Sequence, residues 1–379
     1  MQAELLNCPT GQFSLVRPGT PANMPLRAWD AADEYLIEHT TLNFPDQAIT
    51  ILNDGFGALG TALAKHTHSE QTNYWITDSF CAHQALKINL DKNSISQHPH
   101  QLNVDDHWQV EANLWLVKIP KNTSFLEYQL HKIANIAAQK KQEQTVLLAG
   151  MMKHLPKTLM NTLGKYGYTV REPFKKKAML VSLAIPTHIK LPAEKYPKQH
   201  SFFKTKIIGQ ANVFGRDKLD QGTELLLNNM PMVSEAHQVA DLCCGTGIIG
   251  LNHALRNPQA EVSFFDESHM AVACAQKGIK LNELNNAAHF FWDDGMKQAA
   301  DQSFDLILCN PPFHEQHAVG DHIAWRLFQD AFRCLKKDGK LIIVGNRHLG
   351  YHTKLKRIFN NAENIAANNK FVVLQSVKR

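Results

Sequence analysis

Residues 238–250 read Gln-Val-Ala-Asp241-Leu-Cys-Cys-Gly245-Thr-Gly247-Ile-Ile-Gly250. An apolar run of strand length passes into a glycine turn and then into IIGLNHALR, which has helical spacing. Glycines there let a ligand approach the main chain, and the free N–H groups that open a helix favour a polar ligand group. Such a turn suits a dinucleotide or S-adenosylmethionine, and it also occurs in α/β folds with no ligand. Downstream, EVSFFD ends in Asp266 and leads into a helix through about Leu281, and HFFWD and FDLILCN are two more strands. A helix is expected from Ile323 to Lys337, stopped by Asp338-Gly339, followed by the strand KLIIVGN and a short helix from Tyr351 to Phe359. Strand-like segments around Ile365 and in FVVLQSV, joined by Asn368-Asn369, predict an edge hairpin. Strands alternating with helices predict an α/β fold whose mostly parallel sheet is covered on both faces.

The N-terminal half repeats this plan. ITILNDGFGALG places Gly55, Gly57 and Gly60 as Gly245, Gly247 and Gly250 are placed, 190 positions later. LRAWDAADEYLI parallels RDKLDQGTELLL, with Asp30 and Asp220 again 190 apart, and NYWIT ends in Asp78 as SFF ends in Asp266. LWLVKIPK underlies LILCNPPF, and TVLLAG underlies LIIVGN. Several landmarks at a nearly constant offset indicate duplication. On this alignment Asp241 falls on Ile51, Asn310 on Lys118 and Phe313 on Lys121. The N-terminal copy is therefore expected to be non-catalytic. The reading places it at 1–186, a basic linker at 187–204 and the catalytic domain at 205–379.

Asn310-Pro311-Pro312-Phe313 closes the fourth strand of the C-terminal half. Two prolines remove two backbone donors and stiffen the loop, leaving carbonyls and the Asn310 amide oxygen as acceptors. An exocyclic amine on a nucleobase needs acceptors of this kind. Its lone pair is delocalised into the ring, and gripping its hydrogens favours the pyramidal geometry reached as a methyl group arrives. Phe313 offers a face for stacking, worth roughly 1–3 kcal/mol per base. The alternative is a rigid turn with a core Phe. Asp266 suits the two ribose hydroxyls of a bound nucleoside, or serves as a helix cap. Asp293, in preference to Asp294, suits an adenine amino group. All these acids are placed at strand C-termini, where open α/β sheets bind ligands.

Composition narrows the class. The 379 residues, 44% hydrophobic and 20% charged, fit two globular domains. No apolar run approaches membrane-spanning length, and the start MQAELLNCPTGQF lacks the pattern of a signal peptide, so a cytoplasmic protein is expected. Seven scattered cysteines without a Cys-x-x-Cys pair suggest neither a disulfide framework nor a metal site. The net charge is +5, and an equal surplus sits within 187–218, where Lys190, Lys195, Lys198, Lys204, Lys206, Arg216 and Lys218 face only Glu194 and Asp217. That strip fits a phosphate backbone, or is a solvated linker.

The Asn310-Pro-Pro-Phe313 loop and the glycine turn together resemble class I S-adenosylmethionine-dependent methyltransferases with the Asn-Pro-Pro-aromatic motif, which act on adenine N6, guanine N2 or glutamine amides. The whole chain resembles the RsmC/RlmG family of ribosomal RNA guanine-N2 methyltransferases. Phe214-Gly-Arg216-Asp-Lys-Leu219-Asp220-Gln-Gly222 and Asn310-Pro-Pro-Phe313-His314 carry that likeness. Length and the continuation Glu-Gln-His317 point to its large-subunit branch. The resemblance implies two tandem Rossmann-like methyltransferase domains, the first degenerate and used for RNA recognition. It implies a monomer that methylates one guanosine of 23S rRNA, the alternatives being a 16S rRNA guanine-N2 or an adenine-N6 enzyme. It assigns Asp241, Cys243, Gly245, Gly247 and Asp266 to S-adenosylmethionine, with Asp293 and Asn310 joining them, and residues 310–313 to catalysis. Many relatives carry Gly where Cys243 stands. His314 and His317 read as RNA or surface contacts, because the amine can lose its proton after methylation. A non-enzymatic assembly factor and a nicotinamide-dependent oxidoreductase fit the intact Asn310 loop less well.

Overall fold

The computed structural model describes residues 3–20, 26–64, 66, 72–230, 237–312 and 317–379, the side chains of 317–321 excepted. Phe313 and His314 lie outside this set, as does the side chain of His317. The chain divides into two compact units, Met1–Lys195 and Tyr196–Arg379.

The N-terminal unit contains strands β1 (Glu4–Cys8), β2 (Gly11–Leu15), β3 (Ile49–Leu52), β4 (Tyr74–Thr77), β5 (His100–Asn103), β6 (Leu114–Lys118), β7 (Gln144–Met151), β8 (Tyr168–Arg171) and β9 (Ala178–Ile185). The C-terminal unit contains β10 (Lys198–Phe202), β11 (Thr205–Gly209), β12 (Gln238–Leu242), β13 (Glu261–Asp266), β14 (Ala288–Trp292), β15 (Phe304–Cys309), β16 (Leu335–Asn346), β17 (Glu363–Ala367) and β18 (Phe371–Val377). Each unit opens with an antiparallel hairpin, β1–β2 or β10–β11. Each then builds a seven-stranded sheet, in the orders β5-β4-β3-β6-β7-β9-β8 and β14-β13-β12-β15-β16-β18-β17. Counted within each unit the two orders are the same, and only β9 and β18, the last strand of each unit in sequence, run against the others. The expected duplication and edge hairpin are thus both present.

The central strands are buried on both faces, as a helix-covered parallel sheet requires. Val239, Ala240, Asp241 and Leu242 are all buried, as are Leu306 to Cys309. Apolar clusters lie on either side of the C-terminal sheet. One is built around Val239, Val262 and Leu308, the other around Ala240, Phe265 and Ile307.

The first helix of each unit starts at an aspartate cap. Helix α1 (Ala31–Asn43) is capped by Asp30, whose side chain accepts the Ala32 and Asp33 N–H groups while Asp33 reciprocates. Its C-terminal counterpart, α2 (Gln221–Asn229), is capped by Asp220 through Gly222 and Thr223. Helix α3 (Ile248–Arg256) follows Gly247, whose φ of 78° is left-handed, and a Cβ there would meet the Ala275 Cβ at 2.8 Å.

Two expectations need correction. The helix placed at 323–337 is α4 (His317–Cys334), and Leu335 instead pairs with Phe304 at the start of β16. Residues 187–204 are not wholly a linker, because Lys198–Phe202 is strand β10.

Candidate active site

Strands β12 and β15 are the neighbours between which the strand order reverses, the place where open α/β sheets form a ligand crevice. They run parallel with Leu242 opposite Cys309. The glycine turn 243–247 and the loop 310–312 therefore leave adjacent strand ends side by side, as the sequence reading requires.

The turn itself is shaped by its backbone. Cys243 has φ 60°, a left-handed conformation natural to glycine. Its thiol hydrogen-bonds with that of Cys309; this contact and burial push the Cys243 pKa well above its usual range. The Gly245 N–H donates to Asp266 Oδ2 at 2.9 Å, and Asp266 Oδ1 accepts the Ser268 N–H at 2.9 Å. The turn and the acid at the end of β13 thus fix one another.

Asp241 is fully buried under α3. Its Oδ2 accepts the Gly250 N–H at 2.8 Å, and its Oδ1 has no hydrogen-bond partner among the described residues. Burial raises its pKa to about 8. Asp293 is buried too, and its oxygens accept the Asp294 and Gln298 N–H groups, each at 2.8 Å. Asp294 pairs instead with Arg326 and Lys297. Of the two acids, Asp294 is thus engaged by cations and Asp293 by its own loop.

Asn310 is 8% exposed. Its Nδ2 donates to Thr223 Oγ1 at 2.9 Å, and its Oδ1 has no partner among the described residues. Sequence reading did not single out Thr223. It stands in the first turn of α2, where Asp220 holds its backbone N–H at 3.0 Å. Its hydroxyl takes the amide nitrogen and leaves the oxygen as the open acceptor. An unpaired buried oxygen costs about 1–3 kcal/mol, so this arrangement marks a place shaped for a donor. The only signal available was the duplication, which pairs Thr223 with Asp33 and Asn310 with Lys118. Pro311 is buried and Pro312 exposed.

Donor-poor, acceptor-rich and apolar, this corner fits S-adenosylmethionine. Two of the unpaired buried oxygens, Asp241 Oδ1 and Asn310 Oδ1, are acceptors for donor groups of ligands bound here.

Comparison with known proteins agrees with this geometry. Residues 204–375 match the methyltransferase small domain, and residues 3–207 match the RLMG N-terminal domain. A Stutzerimonas stutzeri relative called ribosomal RNA large subunit methyltransferase G is 41% identical over 99% of both chains. A Pseudomonas putida relative of the same name is 39% identical over 99% of this chain and all of its own. The chain belongs to the ribosomal RNA large subunit methyltransferase G family. In fold it also matches the T. thermophilus 16S rRNA N2 methyltransferase RsmC, solved with AdoMet and guanosine, at TM-score 0.75 and 19% identity over 100% of this chain and 98% of that one. Membership in this family makes the chain an S-adenosylmethionine-dependent methyltransferase.

The basic strip looks less like a phosphate track than its sequence suggests. Lys198 and Arg216 both pair with Asp217 and lie over the Tyr196 ring, and Lys195 pairs with Glu127. Among the described residues no helix is long and apolar enough to cross a membrane.

Proposed function

We propose that the C-terminal unit transfers the methyl group of S-adenosylmethionine to the exocyclic N2 amine of guanine 1835 in 23S rRNA. The observation that carries this reading is the buried, partnerless Oδ1 of Asn310 beside the glycine turn. S-adenosylmethionine supplies an electrophilic methyl on sulfonium. The chain's own residues position the acceptor. Thr223 fixes the Asn310 amide so that Oδ1 accepts one N–H of the incoming amine, and the rigid Pro311-Pro312 segment holds main-chain carbonyls for the other. As the amine becomes tetrahedral those hydrogen bonds strengthen, which stabilises the transition state. Phe313 stacks on the base, and Asp266 with Gly245 receives the ribose of the methyl donor. Asp293 accepts the adenine amino group, while Asp241 and Cys243 line the donor's cationic end. A guanine within a duplex must be extruded, so a looped or unstacked guanosine is the substrate.

The N-terminal unit is read as the RNA-recognition half of a cytoplasmic monomer. The full-length relatives named for the large subunit favour 23S over 16S rRNA. Incubating the protein with labelled S-adenosylmethionine and protein-free 23S rRNA, 16S rRNA or DNA, then mapping the label, tests this. Label confined to N2 of one 23S guanosine is expected. Label on 16S rRNA or on adenine N6 overturns the substrate assignment.

A further inference from the structure

The N-terminal unit has its own cavity at the C-terminal edge of its sheet. It measures about 410 Å³ and is lined by Met151, Met152, Lys153, Phe174 and Lys177. That is within the size range of small-molecule sites. Met152 and Phe174 are large apolar side chains left 45% and 57% exposed. Lys153 and Lys177 are exposed and form no ion pair with a described residue.

The loop that presents Lys177 is unusual. Lys175 and Ala178 close a two-residue turn with reciprocal N–H···O bonds of 3.2 and 2.7 Å, and the central Lys176 and Lys177 have φ 47° and 64°. Such turns normally hold Asn-Gly, because side chains with a bulky stem resist left-handed backbone. Here two lysines occupy both positions. The Met152 N–H donates to the Lys177 carbonyl at 3.0 Å, which ties the turn to the end of β7. Lys121, where the C-terminal copy has Phe313, adds a further cation after the neighbouring strand β6.

We propose that this cavity is a docking site for an unstacked segment of RNA, with a base against Phe174 and Met152 and its phosphates on Lys153 and Lys177. Apolar surface beside unpaired cations is the chemistry that single-stranded nucleic acid meets. In the turn Lys175 and Lys176 pair with Glu38 and Glu34, and Lys177 is the cation left for a polyanion. The inference rests on the reading that the chain acts on RNA.

The test compares wild type with Phe174→Ala and with the double variant Lys153→Gln/Lys177→Gln. Binding of protein-free 23S rRNA is measured across salt concentrations, and binding of S-adenosylmethionine by calorimetry. Phe174→Ala is expected to weaken RNA binding about tenfold or more, with its salt slope unchanged. The double variant is expected to reduce the log–log salt slope by about 0.7 per lysine removed. S-adenosylmethionine binding stays as in wild type for both. Unchanged RNA affinity and slope in both variants would falsify the site. Weaker binding only to assembled ribosomal particles would indicate a protein partner and overturn the RNA assignment. If wild type binds RNA through these residues yet methylates none, the site stands and the proposed activity fails.

Discussion

In the C-terminal unit Asn310 gives Nδ2 to Thr223 and keeps its oxygen unpaired. At the matching place in the N-terminal unit Lys118 reaches Asp30 at 2.7 Å and Asp33 at 2.8 Å. Burial opposes the charge on Lys118, but the two carboxylates more than offset it and raise its pKa. The glycine turns diverge in the same sense. Cys243 offers a short thiol, whereas its counterpart Asn53 shares φ 62° yet donates to the Lys118 carbonyl at 3.0 Å and exchanges hydrogen bonds with Gln129. Asp241 leaves Oδ1 open, whereas Asp54 uses both oxygens on the Ala58 and Gly60 N–H groups and adds the Trp75 indole at 3.2 Å. At these positions the C-terminal unit leaves Asn310 Oδ1 and Asp241 Oδ1 unpaired, and the N-terminal unit pairs the matching groups internally. On the proposed reading, catalytic competence is a matter of which buried groups are left without a protein partner.

That contrast can be broken from either side. The largest effect is expected for Lys118→Ala, which strands Asp33 and Asp30. Removing one partner of a buried pair costs about 3–5 kcal/mol. Denaturant melts should show the loss, smaller at pH 5 than at pH 8 because buried Asp33 then takes up a proton. Next, Asn310→Ala should cut turnover about 10²–10³-fold with S-adenosylmethionine affinity near normal. Asp266→Ala should do the converse, weakening donor binding in calorimetry with a milder fall in turnover at saturation. If both substitutions only unfold the protein, the site assignment is wrong. Thr223→Val should lower kcat about tenfold without moving the KM for S-adenosylmethionine, the net worth of one well-placed hydrogen bond. Thr223→Ser should restore it. Equal losses in both variants would mean that Thr223 serves packing alone.

The subtlest test is electrostatic. Asp241 titrates near pH 8 in the folded chain, against about 4 when unfolded. Between those values the native state holds the extra proton, so stability declines as pH rises and levels off above 8. Asp241→Asn removes that dependence. Without methyl donor, the Tm of the variant relative to wild type should climb from pH 5 to pH 9. Asp54 is present in both proteins and cancels. A flat difference would place Asp241 in a polar setting.

Much of this was legible from spacing. The alternation of strands and helices, the edge hairpin, and the duplication that sets Asp30 against Asp220 follow from apolar periodicity and a constant offset. What escaped was side-chain substitution in space. Column by column, Asp241 falls on Ile51, which suggests that the acceptor was lost. In the fold Asp54, three residues on, takes the Gly60 N–H as Asp241 takes that of Gly250. Thr223 escaped because it lies 87 residues before its partner and belongs to a helix cap by pattern. The lysines at 195 and 198 read as free charge because their acids, Glu127 and Asp217, are not beside them in sequence.

The left-handed residues at 53 and 243, and the glycines at 57 and 247 with φ 74° and 78°, are common to both turns, while Gly245 is left-handed at φ 54° and its counterpart Gly55 is not. On the proposed reading, building a second reaction centre would require a change of backbone at residue 55 and little else in the scaffold. It is an exercise in exchanging a few buried side chains, chiefly Asn53, Lys118 and Asp33, for ones that leave their hydrogen-bonding capacity unspent. The N-terminal half, inactive on that reading, is a template for protein engineers who want two transfer sites in one polypeptide.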